Sequence, residues 1–199
     1  MTNKVFRIWL AGSVFLLANG CGTSPNPLYY RLSSIPARSD SVDSRHSVYI
    51  RVGPVTIPEE LDRSPIVTQT GTNTVNLAEY HRWAGDLQRD IGRVLGENLS
   101  VLLPTSHITL DTEVSMQPID LRITVNIREF GGQLEGPVKL VADWSIVRVT
   151  DKKSIAARRS VLDEMSDAPV YSGFVAAQSR LLARLSQILA NEVKKRFAA

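Results

Sequence analysis

Residues 119–128 alternate apolar and polar without a break. Ile119, Leu121, Ile123, Val125 and Ile127 fall on one side, and Asp120, Arg122, Thr124, Asn126 and Arg128 on the other. A period of two over this length predicts a β-strand buried on one face and solvated on the other. A slip of one residue would exchange the two faces, so the register of whatever pairs with it is tightly set. Gly131-Gly132 starts a turn, and Val138, Leu140, Ala142, Trp144 and Ile146 form the next inward row. Asp151-Lys152-Lys153 turns again, and Ile155, Ala157 and Val161 are expected to face inward on a third strand. Three consecutive strands with short polar turns predict an antiparallel meander. On the middle strand Val141, Val147 and Val149 point with Lys139 and Asp143, a partly apolar outer face of the kind a docking surface presents.

Such a sheet needs a cover for its apolar side, and two stretches of helical period supply it. Leu87, Ile91, Val94, Leu95, Leu99 and Leu102 share one face of a helix in a region where the period changes from about Ala78, ending near Leu103 before Pro104. Gly92 and Gly96 stand one turn apart in it, and close packing on a sheet would offset their weak helix propensity. A last helix over 174–197, introduced by 169–173, carries Leu181, Leu182, Leu185, Ile188, Leu189 and Val193. Its Lys194-Lys195-Arg196 end is favourable against the helix dipole. Before the first helix, Tyr29 to Leu32 reads as a short strand and 35–47 as a polar loop. Val48, Ile50 and Val52 mark a strand, and 57–63 a compact turn. The stretches 66–70 and 74–77 form a hairpin. The expected fold class is α+β: an antiparallel-dominated β-sheet packed against two long amphipathic helices in a two-layer sandwich.

The N-terminus has a different character. Lys4 and Arg7 precede a short apolar run that closes on Leu16-Leu17-Ala18-Asn19-Gly20-Cys21, the chain's one cysteine. A positive start, a short apolar middle and small residues at the end make a secretory signal, too short for the ~20 apolar residues of a spanning helix. Gly20 before Cys21 narrows this to a lipoprotein signal, with a diacylglyceryl group and an N-acyl chain on Cys21 and no other cofactor. The expected division is a signal peptide at 1–20, lipidated cysteine and tether at 21–27, and one periplasmic domain at 28–199. The tether 22–27 reaches about 20 Å at about 3.3 Å per residue, so the domain would ride close to its membrane. With Cys21 acylated no thiol remains, and stability must come from packing. The formal charge of +3 comes from 23 basic and 20 acidic side chains, two of the basic ones being Lys4 and Arg7. The remainder is close to neutral without a basic stripe, which argues against nucleic acid as a partner.

Catalytic patterns are missing. His46, His81 and His107 lack the short spacing of a zinc site. No nucleophile elbow, phosphate-binding loop or dinucleotide fingerprint occurs. Asp111 and Glu113 read as solvated loop rather than an acid–base pair. The chain is therefore not expected to be an enzyme.

Four segments together resemble the ABC-type transport auxiliary lipoprotein family. They are Tyr30-Arg31-Leu32; Val52-Gly53-Pro54-Val55-Thr56-Ile57-Pro58 with Leu61-Asp62-Arg63; His81-Arg82-Trp83-Ala84 leading into the stretch 91–99; and Ala176-Ala177-Gln178-Ser179. Ser64 before Pro65, and Gly85 after the His-x-Trp-Ala run, depart from the family's pattern. The resemblance implies a non-catalytic lipoprotein on the periplasmic face of the outer membrane, anchoring or docking an MCE-domain protein of an intermembrane lipid transport system. Self-association into a homo-oligomer stays open. Two other readings are a periplasmic lipid-binding module, with a lipid held between sheet and helices, and a lipoprotein accessory of cell-envelope assembly. Asp62, Arg63, His81 and Trp83 are the candidates for the partner surface, being polar or aromatic residues in family-like segments outside the strong apolar patterns. The alternative for Trp83 is a core anchor at the helix start, and for Asp62-Arg63 an ion pair fixing the turn.

Overall fold

The computed structural model of the chain describes residues 25–36, 48–105, 107–114 and 117–197. The signal segment 1–20, Cys21, the first part of the tether at 22–24 and most of the polar loop at 35–47 lie outside the described residues. In chain order the elements are β1 (Leu28–Tyr30), β2 (Ile50–Thr56), a 3-10 turn (Glu59–Leu61), β3 (Pro65–Gly71), β4 (Thr74–Trp83) and α1 (Leu87–Leu102). They continue with β5 (Ile108–Leu110), β6 (Leu121–Gly132), β7 (Pro137–Arg148), β8 (Ser154–Met165) and α2 (Tyr171–Phe197).

The expected α+β class is found, with one correction to its topology. There are two mixed sheets, not one antiparallel-dominated sheet: a three-stranded sheet in the order β1-β4-β3 and a five-stranded sheet in the order β5-β2-β6-β7-β8. The meander β6-β7-β8 is antiparallel as expected, but β2 runs parallel to both β5 and β6, and β1 runs parallel to β4. A bridge between Gln69 and Gln133 links the two sheets. Both helices cover one face of the five-stranded sheet, α1 over β2 and β5, α2 over β7 and β8, and they pack against each other.

The inward rows of β6 and β7 are those expected, with Leu121, Ile123, Val125 and Ile127 facing Val138, Leu140, Ala142, Trp144 and Ile146 in the core. Two bulges reset the alternation along the strands. In β2 an extra residue at Gly53-Pro54 lets Val52 and Val55, three apart, both turn inward. Gly53 has φ +126°, and a Cβ there would lie 2.4 Å from the Cβ of Asp111, so only glycine suits the site. In β6 the extra residue is Arg128, so Ile127 and Phe130 both reach the core.

A third bulge corrects the reading of β8. Ile146 pairs with Ala156 and Val147 with Ser154, which leaves Ile155 as the extra residue and shifts the phase after it. The inward row is therefore Ala156, Arg158, Ser160, Leu162 and Glu164, while Ala157 and Val161 face outward, Val161 being 56% exposed. Leu162 joins the core, while the polar members of this row find partners of their own. Ser160 accepts a hydrogen bond from Trp144 Nε1 at 2.9 Å, Glu164 pairs with Arg180 at 3.0 Å, and Arg158 lies 3.7 Å from Glu192.

The helix after the hairpin starts later than the change of period near Ala78 suggests. Residues 78–83 continue β4, and α1 begins at Leu87 with Asp86 as its N-cap, the Asp86 carboxylate accepting from Arg89 N–H at 2.7 Å. A Cβ on Gly96 would lie 2.8 Å from Leu110 Cδ2, whereas one on Gly92 would find only Val55 Cγ2 at 3.7 Å. The close approach to β5 therefore belongs to Gly96. α2 carries the expected stripe, with Leu181, Leu182, Leu185, Leu189 and Val193 buried and Ile188 partly so.

Between β1 and the polar loop, residues 31–36 form no regular structure, yet helix side chains satisfy their backbone. Asp90 accepts from Leu32 N–H at 2.8 Å, and Arg93 donates to Leu32 C=O at 2.8 Å. Ser179 Oγ accepts from Ser33 N–H at 3.1 Å, and Asn98 Oδ1 from Ile35 N–H at 2.8 Å. This strap buries Leu32 and ties the chain's N-terminal approach to both helices.

Candidate functional site

The four candidate surface residues separate into two kinds. Trp83 closes β4 and is 6% exposed, which makes it a core side chain; its backbone N–H donates to Ser64 C=O at 2.8 Å. That bond ties the turn carrying Asp62 and Arg63 to the end of β4. Both of those side chains are exposed, and no ion pair joins them, so the alternative of a local pair fixing the turn is not found. A backbone bond from Asp62 N–H to Glu59 C=O at 3.1 Å shapes the turn instead.

His81 is half-buried in a small aromatic cluster that joins β1, β4 and α2. Its Nδ1 lies 2.7 Å from the Tyr30 hydroxyl, which donates when the ring proton is on Nε2. Its ring stacks on Tyr171 at 4.0 Å and 19°, and Asn76 Nδ2 donates to the Tyr171 hydroxyl at 3.3 Å. Burial, and then the neighbouring Tyr171, push the Tyr30 hydroxyl up from its ordinary pKa, so it remains a protonated donor. Tyr30 stands in a family-like segment, but its pairing with Tyr171, far along the chain, leaves no sequence signal. Among the described residues no group of three or more His, Cys, Asp or Glu is placed to hold a metal ion, and no helix is long and apolar enough to cross a membrane.

The faces turned away from the helices carry the other exposed features. On the three-stranded sheet Leu77 pairs with Val67 and Val75 with Gln69, and Tyr29, at 63% exposure, pairs with Arg82. On the five-stranded sheet the outward row of β7 and β8 contains the register pair Val141–Val161, with the exposed Met165 farther along β8. Beside them Asp143 is gripped from two strands: Arg159 donates at 2.6 and 3.0 Å and Arg128 at 2.9 Å. Arg128 reaches it because its bulge position frees it from the ladder. The result is a partly apolar surface flanked by a fixed charge cluster. It keeps the expected Val141 and adds Val161, which the phase shift in β8 turns outward.

The hydrogen bonds from Arg159 and then Arg128 hold the Asp143 carboxyl down at about 2. A folded value below the unfolded one means that the cluster favours folding above about pH 4 and that this contribution fades as pH falls toward the folded value. Carbon-detected NMR titration of the carboxyl should give a midpoint of about 2. In Arg159→Gln the midpoint should rise toward the ordinary carboxylate range; an unmoved midpoint would mean that Arg159 does not hold Asp143 in solution.

A family model described as ABC-type transport auxiliary lipoprotein component matches residues 30–190. The chain is 28% identical over 137 residues to the intermembrane transport lipoprotein PqiC of Escherichia coli, covering 68% of this chain and 72% of that protein. Two solved structures share the fold. One is an uncharacterized protein with a TM-score of 0.68 at 20% identity, covering 85% of this chain and 99% of its own. The other, from Xanthomonas campestris, has a TM-score of 0.68 at 10% identity, covering 86% and 100%.

Proposed function

The chain belongs to the ABC-type transport auxiliary lipoprotein family, and from that premise we propose that it is a non-catalytic docking component of an intermembrane lipid transport system. In this reading acyl chains on Cys21 hold it to the periplasmic face of the outer membrane, and the folded domain receives an MCE-domain protein. Similarity to the Escherichia coli intermembrane transport lipoprotein supports the transport assignment. The observation that carries docking is the apolar surface left open on both sheets, at Tyr29, Val75, Leu77, Val161 and Met165. Asp62, Arg63 and His81 would add polar contacts at the β4 end, with Trp83 as scaffold beneath them.

Each buried CH₂ of an acyl chain contributes ~0.8 kcal/mol, and several chains make attachment effectively permanent. A short tether then raises the effective concentration of the domain at a membrane-proximal partner. Docking is favoured over a lipid held between the layers, because that space is occupied by Ile91, Leu95, Leu99, Ile123, Leu181 and Leu185, all fully buried.

A photo-crosslinking residue in place of Leu77 or Val161 tests the docking reading in cells. An MCE-domain protein should be recovered with the chain; recovery of cell-wall enzymes alone would refute it. Anchoring is tested separately by Cys21→Ala, which should move the chain from the outer-membrane fraction to the soluble periplasm or leave its signal uncleaved. Unchanged outer-membrane fractionation would sink the anchor.

A further inference from the structure

One row of side chains on the open face of the five-stranded sheet is only partly partnered. Arg51 on β2 is in register with Thr109 on β5 and with Arg122 on β6. Ile50, Val52, Leu121 and Ile123 beside them in sequence are buried under the helices, so this row points the other way. Neighbouring strands lie about 4.8 Å apart, which sets two guanidinium side chains next to each other. Like charges directly opposite destabilise a sheet unless something of opposite charge lies between them.

The protein's own carboxylates do this only in part. Asp111 comes within 3.7 Å of Arg122. Arg51 Nε is buried without an acceptor, and so is Thr109 Oγ1. Buried donors without acceptors are rare in native proteins and destabilising. Here two of them adjoin on neighbouring strands, with a second guanidinium alongside. What the constellation lacks is an acceptor carrying negative charge. Two residues back, just before the first residue of each of these two strands, Tyr49 stacks on His107 at 4.4 Å and 20°, giving the row a flat aromatic flank.

We propose that Thr109, Arg51 and Arg122 form a binding site for a phosphate-type oxyanion. Donors arriving from three adjacent strands suit a tetrahedral group with several oxygens better than a planar carboxylate. Asp111 offsets one of the two positive charges, so the remaining charge matches a monoanion, either a phosphodiester or dihydrogen phosphate. The site rests on sheet geometry and does not depend on the transport reading.

The test uses the full chain in neutral-detergent micelles, observing arginine Nε–Hε resonances by NMR while sodium phosphate is added against sodium chloride at equal ionic strength. The Arg51 resonance should shift saturably with phosphate and not with chloride. Arg51→Gln should abolish the saturable response at Arg122. Thr109→Val, which keeps shape and removes only the hydroxyl, should weaken binding by about tenfold. Monomeric dihexanoyl phosphatidylglycerol distinguishes the two sources. Tighter binding than inorganic phosphate identifies a lipid headgroup, and weaker binding identifies free phosphate; either outcome supports the site. A flat response to both, an unchanged response in Arg51→Gln, or tighter saturation by acetate than by either phosphate overturns it.

Discussion

Ile123→Asp is expected to abolish the cooperative thermal unfolding transition, with near-ultraviolet circular dichroism already that of an unfolded chain at 25 °C. Ile123 is fully buried, in register with Val52 on one side and Ile146 on the other, both of them also in the core. Both neighbours in register are aliphatic, so a carboxylate there would have no partner beside it. The effective penalty for burying such an ion is several kcal/mol, and the lost aliphatic packing adds to it. Domains of this kind have about 5–15 kcal/mol of total stability, so most or all of it would go. Thr124→Asp is the control. It lies one residue on, faces outward, and should change stability by under about 1 kcal/mol. A normal melt for the Ile123 variant would mean that the inward face has been assigned to the wrong side.

That pair of substitutions marks what the sequence made legible. Where a strand is apolar on one face and polar on the other, as in 121–127, the pattern reports burial directly. In β8 it did not, because the inward row contains Arg158, Ser160 and Glu164, which find partners in Glu192, Trp144 and Arg180 rather than in an apolar layer. With Ile155 bulged out of the ladder, the apolar residues of that strand no longer mark one face. The short β5 strand, Ile108–Leu110, gives too little periodicity to read, and its parallel pairing with β2 depends on a crossover through α1 that no local pattern encodes. The site was legible to a similar degree. His81 stood out by residue type, but its stacking on Tyr171 joins distant segments. Arg51 and Arg122 look like ordinary solvated positions until the parallel register brings them side by side.

The family-like segments also prove to be partly structural. Arg93 and Asn98 in α1 and Ser179 in α2 hold the strap at 31–36, and Gln178 donates to Phe130 C=O at 3.2 Å. Resemblance in those segments reports how the N-terminal approach is fastened to the helices. It does not by itself mark a partner surface. The exposed Asp62 and Arg63, with no comparable structural task for their side chains, remain the better candidates for contact.

Asn98 carries the heaviest share of that fastening, and Asn98→Ala is expected to cost about 2–4 kcal/mol. Its side chain is fully buried between the helices. Its Oδ1 accepts from Ile35 N–H at 2.8 Å, and its Nδ2 donates to Ser186 Oγ at 3.1 Å. Truncation leaves the Ile35 N–H without its acceptor and opens a cavity, and both effects act in the same direction. Ser186→Ala should cost less, about 1 kcal/mol, because it removes a single oxygen atom and the Leu182 C=O to which the hydroxyl donates at 2.8 Å lies within the helix ladder. The double variant should fall short of additivity by about 0.5–1.5 kcal/mol, the signature of a direct bond between the two. Urea denaturation gives these energies. Hydrogen exchange gives a readout that a general loss of stability would not localise: the Ile35 amide should lose protection beyond that of core amides in β6. If Asn98→Ala costs under about 0.5 kcal/mol and leaves Ile35 protected, the strap is held by Asp90, Arg93 and Ser179 alone.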